Sequence, residues 1–180
     1  MNDVCLYRAG VRMIPYGPEH DRQTVHWLND PEMSATFGLS RTITIESHRL
    51  WLDNARDVII WAIVDELLLH VGNVLLHCAW VHRSAYFQIY LGNREVRGKG
   101  IGSQVLDTVI EHAFGEIGLN RIWLHTLAGN AQAEHLYGKA GFLPEGTERE
   151  AIFRAGRFHS QSRWSLLARE WHARRKSVET

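Results

Sequence analysis

Asn93-Arg94-Glu95-Val96-Arg97-Gly98-Lys99-Gly100-Ile101-Gly102-Ser103 is the stretch on which the reading of the fold turns. Before it stands an apolar run, Ala85 to Leu91, that reads as a strand. After it comes an amphipathic helix with the stripe Val105, Leu106, Val109, Ile110, Ala113 and Ile117. Asp107, Glu111 and His112 are expected to face water on that helix, and Gly118 to end it. Three alternate glycines permit positive φ and close approach of backbone to a ligand. The amides opening the helix point outward and its dipole adds partial positive charge, so the turn is built like a pyrophosphate site. Arg97 and Lys99 add formal charge, giving Arg97, Gly98, Lys99, Gly100, Ile101, Gly102 and Ser103 as candidate binding residues. A nucleotide P-loop would end in Gly-Lys-Ser/Thr, and a dinucleotide fingerprint would carry a glycine where Ser103 stands. What remains is R-x-x-G-x-G, which by itself also suits a plain helix start.

Upstream, Val11 to Ile14 reads as a first strand and Pro18 to Leu28 as a helix stopped by Asn29-Asp30-Pro31. Ser40 to Thr44 is polar and extended, and Thr44 caps a helix running to about Asn54 with Glu46 in its first turn. Val58 to Val64 is a continuous apolar run suited to a buried strand. Leu67 to Cys78, bent at Gly72, and Ala85 to Leu91 follow across connections too short for crossovers, which implies an antiparallel meander. Downstream, Arg121 to Leu127 reads as a strand. Asn130 caps a helix with the stripe Ala133, Leu136, Tyr137 and Ala140, and Gly141 is its αL terminator. Strands begin at Phe142 and Phe158, and a charged tail from Ala168 to Thr180 reads as a frayed helix. A long crossover implies at least one parallel pair. The whole is a mixed α/β chain with helices on both faces of the sheet, read as one domain over residues 1–180.

The second constellation is Asn130-Ala131-Gln132-Ala133-Glu134-His135-Leu136-Tyr137-Gly138-Lys139-Ala140-Gly141-Phe142. Alone, Asn130 is a cap and Tyr137 a core tyrosine. Taken with R-x-x-G-x-G one strand earlier, the pattern N-x-x-A-x-x-L-Y-x-x-x-G-F resembles the GNAT acyltransferase superfamily, with Asn130, Ala133, Leu136, Tyr137, Gly141 and Phe142 all matching. The resemblance covers residues 85–145 specifically. Trp27-Leu28-Asn29-Asp30-Pro31-Glu32 and the stretch from Gly141 to His159 are similar to the branch of ribosomal-protein, polyamine and nucleotide-amino-sugar N-acetyltransferases.

That resemblance implies a mostly antiparallel GNAT-like sheet whose parallel pair, Ala85–Leu91 and Arg121–Leu127, splays apart. It implies acetyl-CoA as co-substrate, with pantetheine pairing to backbone near Ile89, Tyr90 and Leu91. A backbone amide there would stabilise the thioester oxygen. Asn130 would contact the cofactor or order its loop, and Tyr137 would protonate the departing thiolate. The acceptor is a primary amine on a small molecule or a peptide N-terminus, with a slight preference for an amino sugar or a nucleotide-linked one. Polyamines, aminoglycosides, protein N-termini and a non-catalytic acyl-CoA-binding module are the alternatives. Relatives often carry a glutamate base early in the strand before the glycine turn, where this chain has Tyr86. The remaining base candidates are His48, His125 and Glu46, each of which also has an ordinary structural reading. Relatives suggest a homodimer.

Composition bounds the alternatives. The 180 residues carry 20 basic and 20 acidic side chains, so no basic excess marks nucleic acid as the partner. Cys5 and Cys78 show no C-x-x-C spacing and read as free thiols of a reducing compartment, the cytoplasm. No stretch reaches the ~20 apolar residues of a membrane span, and the N-terminus carries no apolar leader. The histidines lack metal-ligand spacing, so no metal is expected. Trp61, Trp123 and Trp164 are expected in the core, and Arg169, Arg174, Arg175 and Lys176 on a solvated tail.

Overall fold

Val58–Val64, the longest run of uninterrupted apolar residues in the chain, forms strand β3 near the middle of an eight-stranded sheet. In the computed structural model, residues 4–39, 41–67, 69–154 and 156–178 are described. Ser40 of the expected extended stretch, Leu68 of the expected second meander strand, and Glu179 and Thr180 of the tail lie outside them.

The strands are β1 (Leu6–Arg8), β2 (Val11–Pro15), β3, β4 (His70–Ala79), β5 (Ser84–Leu91), β6 (Arg121–Leu127), β7 (Leu143–Arg154) and β8 (Arg157–Leu167), in the order β1-β2-β3-β4-β5-β6-β8-β7. Every neighbouring pair is antiparallel except β5 and β6, as the short and long connections require. The register of β4 slips opposite Ile63 and Val64, at the glycine where a bend was expected.

The helices are α1 (Asp21–Leu28), α2 (Pro31–Phe37), α3 (Ile45–Asn54), α4 (Ile101–Gly115), α5 (Ala131–Ala140) and α6 (Ala168–Val178). Pro18–His20 makes one 3₁₀ turn ahead of α1. The Asn29-Asp30-Pro31 stop ends α1 but also starts α2. The Asp30 carboxylate accepts the amides of Glu32 and Met33, and Pro31 occupies a first-turn position where its missing N–H costs nothing. Thr44 caps α3 as expected, in a reciprocal box with Ser47.

Strand alternation sorts side chains between two faces. Trp61, Ile63, Val74, Leu76, Ala85, Phe87, Ile122 and Leu124 point toward α4 and are buried there with Val105, Leu106, Val109 and Ile110. Each such side chain stabilises by about 1.5–3 kcal/mol when fully removed from water. Ile60, Asn73, Leu75, His77, Gln88 and Tyr90 point to the other face, covered by α1, α2 and α3.

Four expectations are corrected. His112 does not face water. It is 6% exposed and meets the Trp61 ring edge-on at 5.9 Å, because the buried face of α4 is wider than the stripe read from sequence. α4 itself ends at Gly115, three residues before Gly118, although Gly118 takes the left-handed φ of +73° in the turn that follows. Trp123 is not core. It lies half-buried on the sheet beside Tyr86, with the Arg163 guanidinium 4.8 Å over its ring, whereas Trp61 and Trp164 pack in or against the core. The described part of the tail is helix α6 and is not frayed, because Trp171 packs on Phe114 at 5.8 Å, Arg175 pairs with Glu111 at 2.5 Å and Arg174 donates to the Lys139 carbonyl at 2.9 Å. Cys5 is exposed, Cys78 is buried, and both are free thiols.

Candidate active site

Between β5 and β6 the ladder holds only from Ser84–Arg121 to Tyr86–Trp123. Beyond that, β5 pairs only with β4 and β6 only with β8, so the two strands part toward their C-terminal ends. The gap is a cavity of about 190 Å³ lined by Phe87 and Ile89 from the α4 face, Tyr86, Gln88 and Tyr90 from the opposite face, and His125 and Tyr137. Residues of both faces line it, so it passes through the sheet.

The glycine turn sits at the α4 side. Gly100 is the N-cap of α4 at φ +83°, a conformation that costs a residue with a Cβ roughly 1–2 kcal/mol. No side chain caps this helix start, and the first internal bond of the turn runs from Gln104 N to Gly100 O. The amides of Ile101, Gly102 and Ser103 are therefore the unpartnered donors of a first turn. Gly98, Gly100 and Gly102 face open space, and Lys99 is exposed beside them. Arg97 is used differently from the expectation of a free phosphate ligand. Its Nε donates to the Leu91 carbonyl at 3.0 Å and its Nη1 lies 3.3 Å from Glu32, so it fixes the loop between β5 and α2. Gly92 is required by close approach, since any Cβ there would enter the Trp27 ring.

Ile89, Tyr90 and Leu91 lie on the unpaired edge of β5. Tyr90 turns to the acceptor face, where Asn73 Nδ2 approaches its hydroxyl at 2.6 Å, and burial pushes its pKa up to about 12. Asn130 caps α5, its Oδ1 accepting the Ala133 amide at 3.2 Å. About two turns later on that helix, Tyr137 packs edge-on to Phe142 at 5.7 Å and enters the strand gap. Its hydroxyl has no hydrogen-bond partner among the described residues, and burial raises its pKa to about 12.

The three base candidates part company. Glu46 is exposed at the start of α3, where its own amide and the Thr44 hydroxyl lower its pKa, which is a helix-terminus arrangement. His125 stands in the strand gap, 3.2 Å from Glu148 and 3.3 Å from Arg163 Nε. His48 is 7% exposed and faces a second cavity, of about 390 Å³, on the acceptor face. Burial lowers its pKa below the usual histidine value, against the pull of Asp21. Its Nε2 lies 3.0 Å from the Tyr16 hydroxyl, which donates to Asp21 at 3.1 Å, and Arg49 donates to Asp21 at 2.6 Å. With the Tyr16 proton committed to Asp21, His48 Nε2–H donates to Tyr16 and Nδ1 carries the lone pair. Burial pushes the Tyr16 pKa well up, so this hydroxyl stays protonated. The two cavities share Phe37, Gln88 and Tyr90 as a common wall.

Sequence reading missed Tyr16, Asp21, His77 and Gln88. The last two face each other across β4 and β5, His77 Nε2 to Gln88 Oε1 at 2.7 Å, and period-2 alternation in those strands was the signal available. Tyr16 and Asp21 meet His48 only through tertiary packing and left no local trace.

A splayed parallel pair, an unpartnered helix start beside it and a tyrosine in the opening are the geometry expected from the resemblance. The family model described as "Acetyltransferase (GNAT) domain" matches residues 11–143. The chain belongs to this family. The solved spermidine N-acetyltransferase from Vibrio cholerae in complex with CoA and spermine shares this GNAT fold, with a TM-score of 0.85 over 92% of the chain and 99% of that one, at 22% identity. Among curated proteins, the spermidine N(1)-acetyltransferase of Vibrio cholerae serotype O1 is 34% identical over 93 residues, 52% of this chain and 53% of that protein. The Bacillus subtilis (strain 168) protein named "Putative ribosomal N-acetyltransferase YdaF" is 34% identical over 101 residues, 56% of this chain and 55% of that one. The chain thus matches about half the length of these curated relatives. Among the described residues, no helix of this GNAT domain is long and apolar enough to cross a membrane.

Proposed function

We propose that this GNAT domain transfers the acetyl group of acetyl-CoA to a primary amine. The observation that carries the reading is the opening between β5 and β6, which holds Tyr137 and shares Phe37, Gln88 and Tyr90 with the His48 cavity, while the glycine turn follows directly on β5. The pyrophosphate would rest on the amides of Ile101, Gly102 and Ser103, with Lys99 supplying charge. The pantetheine would follow the unpaired edge at Ile89, Tyr90 and Leu91, where a backbone amide faces the thioester oxygen as it gains charge. Asn130 would hold α5 in place for Tyr137.

The reaction needs no protein nucleophile. The amine lone pair attacks the thioester carbon, the C–S bond breaks, the sulfur takes the proton of the Tyr137 hydroxyl, and the proton lost by the attacking nitrogen as the amide forms restores the tyrosine. A tyrosine whose pKa is raised stays protonated for this task, and its unpartnered hydroxyl has no bond to give up. The amine must shed its own proton first. Of the two histidines, His48 is neutral near pH 7, faces the acceptor cavity and is oriented by Tyr16 and Asp21, so it serves as the base. His125 is tied to Glu148 and Arg163 and orients the gap instead.

The name of one curated relative puts a polyamine forward as acceptor and that of the other a ribosomal target; the amino-sugar preference draws no support from either. Release of free CoA thiol from acetyl-CoA, measured against spermidine, an amino sugar and a peptide with a free N-terminus, tests the activity. Turnover of any amine supports the reading. Binding of acetyl-CoA with no amine acetylated points to an acyl-CoA-binding module.

A further inference from the structure

Resting on the acetyl-transfer reading, we propose that the acceptor is a monoamine carried on an uncharged body with an apolar face, and not a polycation. The acceptor cavity, of about 390 Å³, is of the size that takes a small molecule. Its floor is Ile60 and Leu75 of the sheet, and its walls include Leu28, Phe37, Ile43 and Trp51. Among the described residues lining it there is no aspartate, glutamate, lysine or arginine. Trp51 lines the cavity, is 43% exposed and stacks on His48 at 6.0 Å and 18°, so it offers ring surface to an apolar ligand.

Asp21, Asp30, Glu32 and Glu148 near this face are already committed, and Glu46 stands exposed at the start of α3 without lining the cavity. Asp21 holds Arg49 and Tyr16, Asp30 and Glu32 hold Arg94 and Arg97, and Glu148 holds Arg163, Gln161 and His125. The charged residue that lines the adjoining gap is Arg154, of the same sign as a polyamine. The reacting amine loses its charge before attack, and an apolar cavity favours that loss. The other ammonium groups of a polyamine would have to stay charged in the same cavity with no counter-charge, which burial penalises heavily. Among the polar groups that line the cavity, His48, His77 and Gln88 offer hydrogen-bonding atoms suited to placing one amine.

The test compares phenethylamine with spermidine, reading both CoA-thiol release and amine binding by calorimetry in the presence of CoA. The proposal expects kcat/KM at least about tenfold higher for phenethylamine, of the order that one apolar group is worth in a pocket. Trp51→Ala should raise the KM for phenethylamine and leave the KM for acetyl-CoA where it was. Ile43→Glu, on the loop that forms part of the cavity wall, should shift preference toward spermidine. Spermidine preferred by the unaltered protein, in rate or in binding, overturns the proposal while leaving acetyl transfer intact. If neither amine is acetylated yet phenethylamine binds more tightly, acetyl transfer fails and the cavity assignment stands. Equal binding of both overturns the cavity assignment.

Discussion

Tyr137→Phe removes one oxygen from the strand gap and little else. The ring keeps its edge contact with Phe142, and the hydroxyl had no partner to strand, so no buried donor or acceptor is left unsatisfied. The stability change should therefore stay within about 0.5 kcal/mol, the range of an uncoupled substitution. The chemical loss should be much larger. A positioned general acid contributes about 10²–10⁴ in rate. The leaving group is a thiol, with a reference pKa near ~8.5, and departs partly unassisted, which puts the expected loss at the low end, about 10². At 1.36 kcal/mol per decade this is about 2.7 kcal/mol of transition-state stabilisation. The assay is CoA-thiol release under saturating amine, with acetyl-CoA affinity from calorimetry. A kcat lower by about a hundredfold at unchanged affinity and unchanged melting temperature is expected. An unchanged kcat, or a loss matched by a fall in Tm, would refute the role of Tyr137.

Further predictions concern the neighbours of that tyrosine. If His48 is the base, activity is retained while it is neutral and lost as pH falls through its lowered pKa, so the acid limb of the rate profile should lie below the ordinary histidine value, and His48→Gln should abolish that limb. The same lowered pKa means that its contribution to stability is present above the unfolded value of ~6.5 and lost as pH falls through the folded one, which acid titration of the melting temperature would show. Gly102→Val places its branch in open space and should leave the fold intact while raising the acetyl-CoA KM about tenfold or more; unchanged KM would remove the turn from cofactor binding. Glu145, whose carboxylate is held at about 2 chiefly by Arg121 and secondarily by Ser165, should give stability that is present above about pH 4.5 and lost as pH falls toward 2; Glu145→Gln should flatten Tm across that window.

Two strands were legible from different patterns: Val58–Val64 is one continuous apolar run, and Arg121–Leu127 alternates, burying Ile122, Leu124 and Thr126. The glycine turn and the Asn130 cap were legible because each feature is local chemistry: φ at Gly100, a side-chain acceptor at Asn130. α2 was not, because Asp30-Pro31 is both a good stop and a good start, and only packing over β5 decides between them. His112 escaped because a stripe of i, i+3 and i+4 positions understates the width of a face buried under a broad sheet. The Tyr16–His48–Asp21 cluster joins residues 5 and 32 positions apart through tertiary folding, which no periodicity reports.

The most direct test of the account is to incubate the protein with acetyl-CoA and a primary amine and follow two products together, free CoA by its thiol and the N-acetylated amine by mass spectrometry. The account predicts that the two appear in equal amounts and that both fall together in Tyr137→Phe. CoA released with no acetylated amine, or no product in either channel, would contradict it.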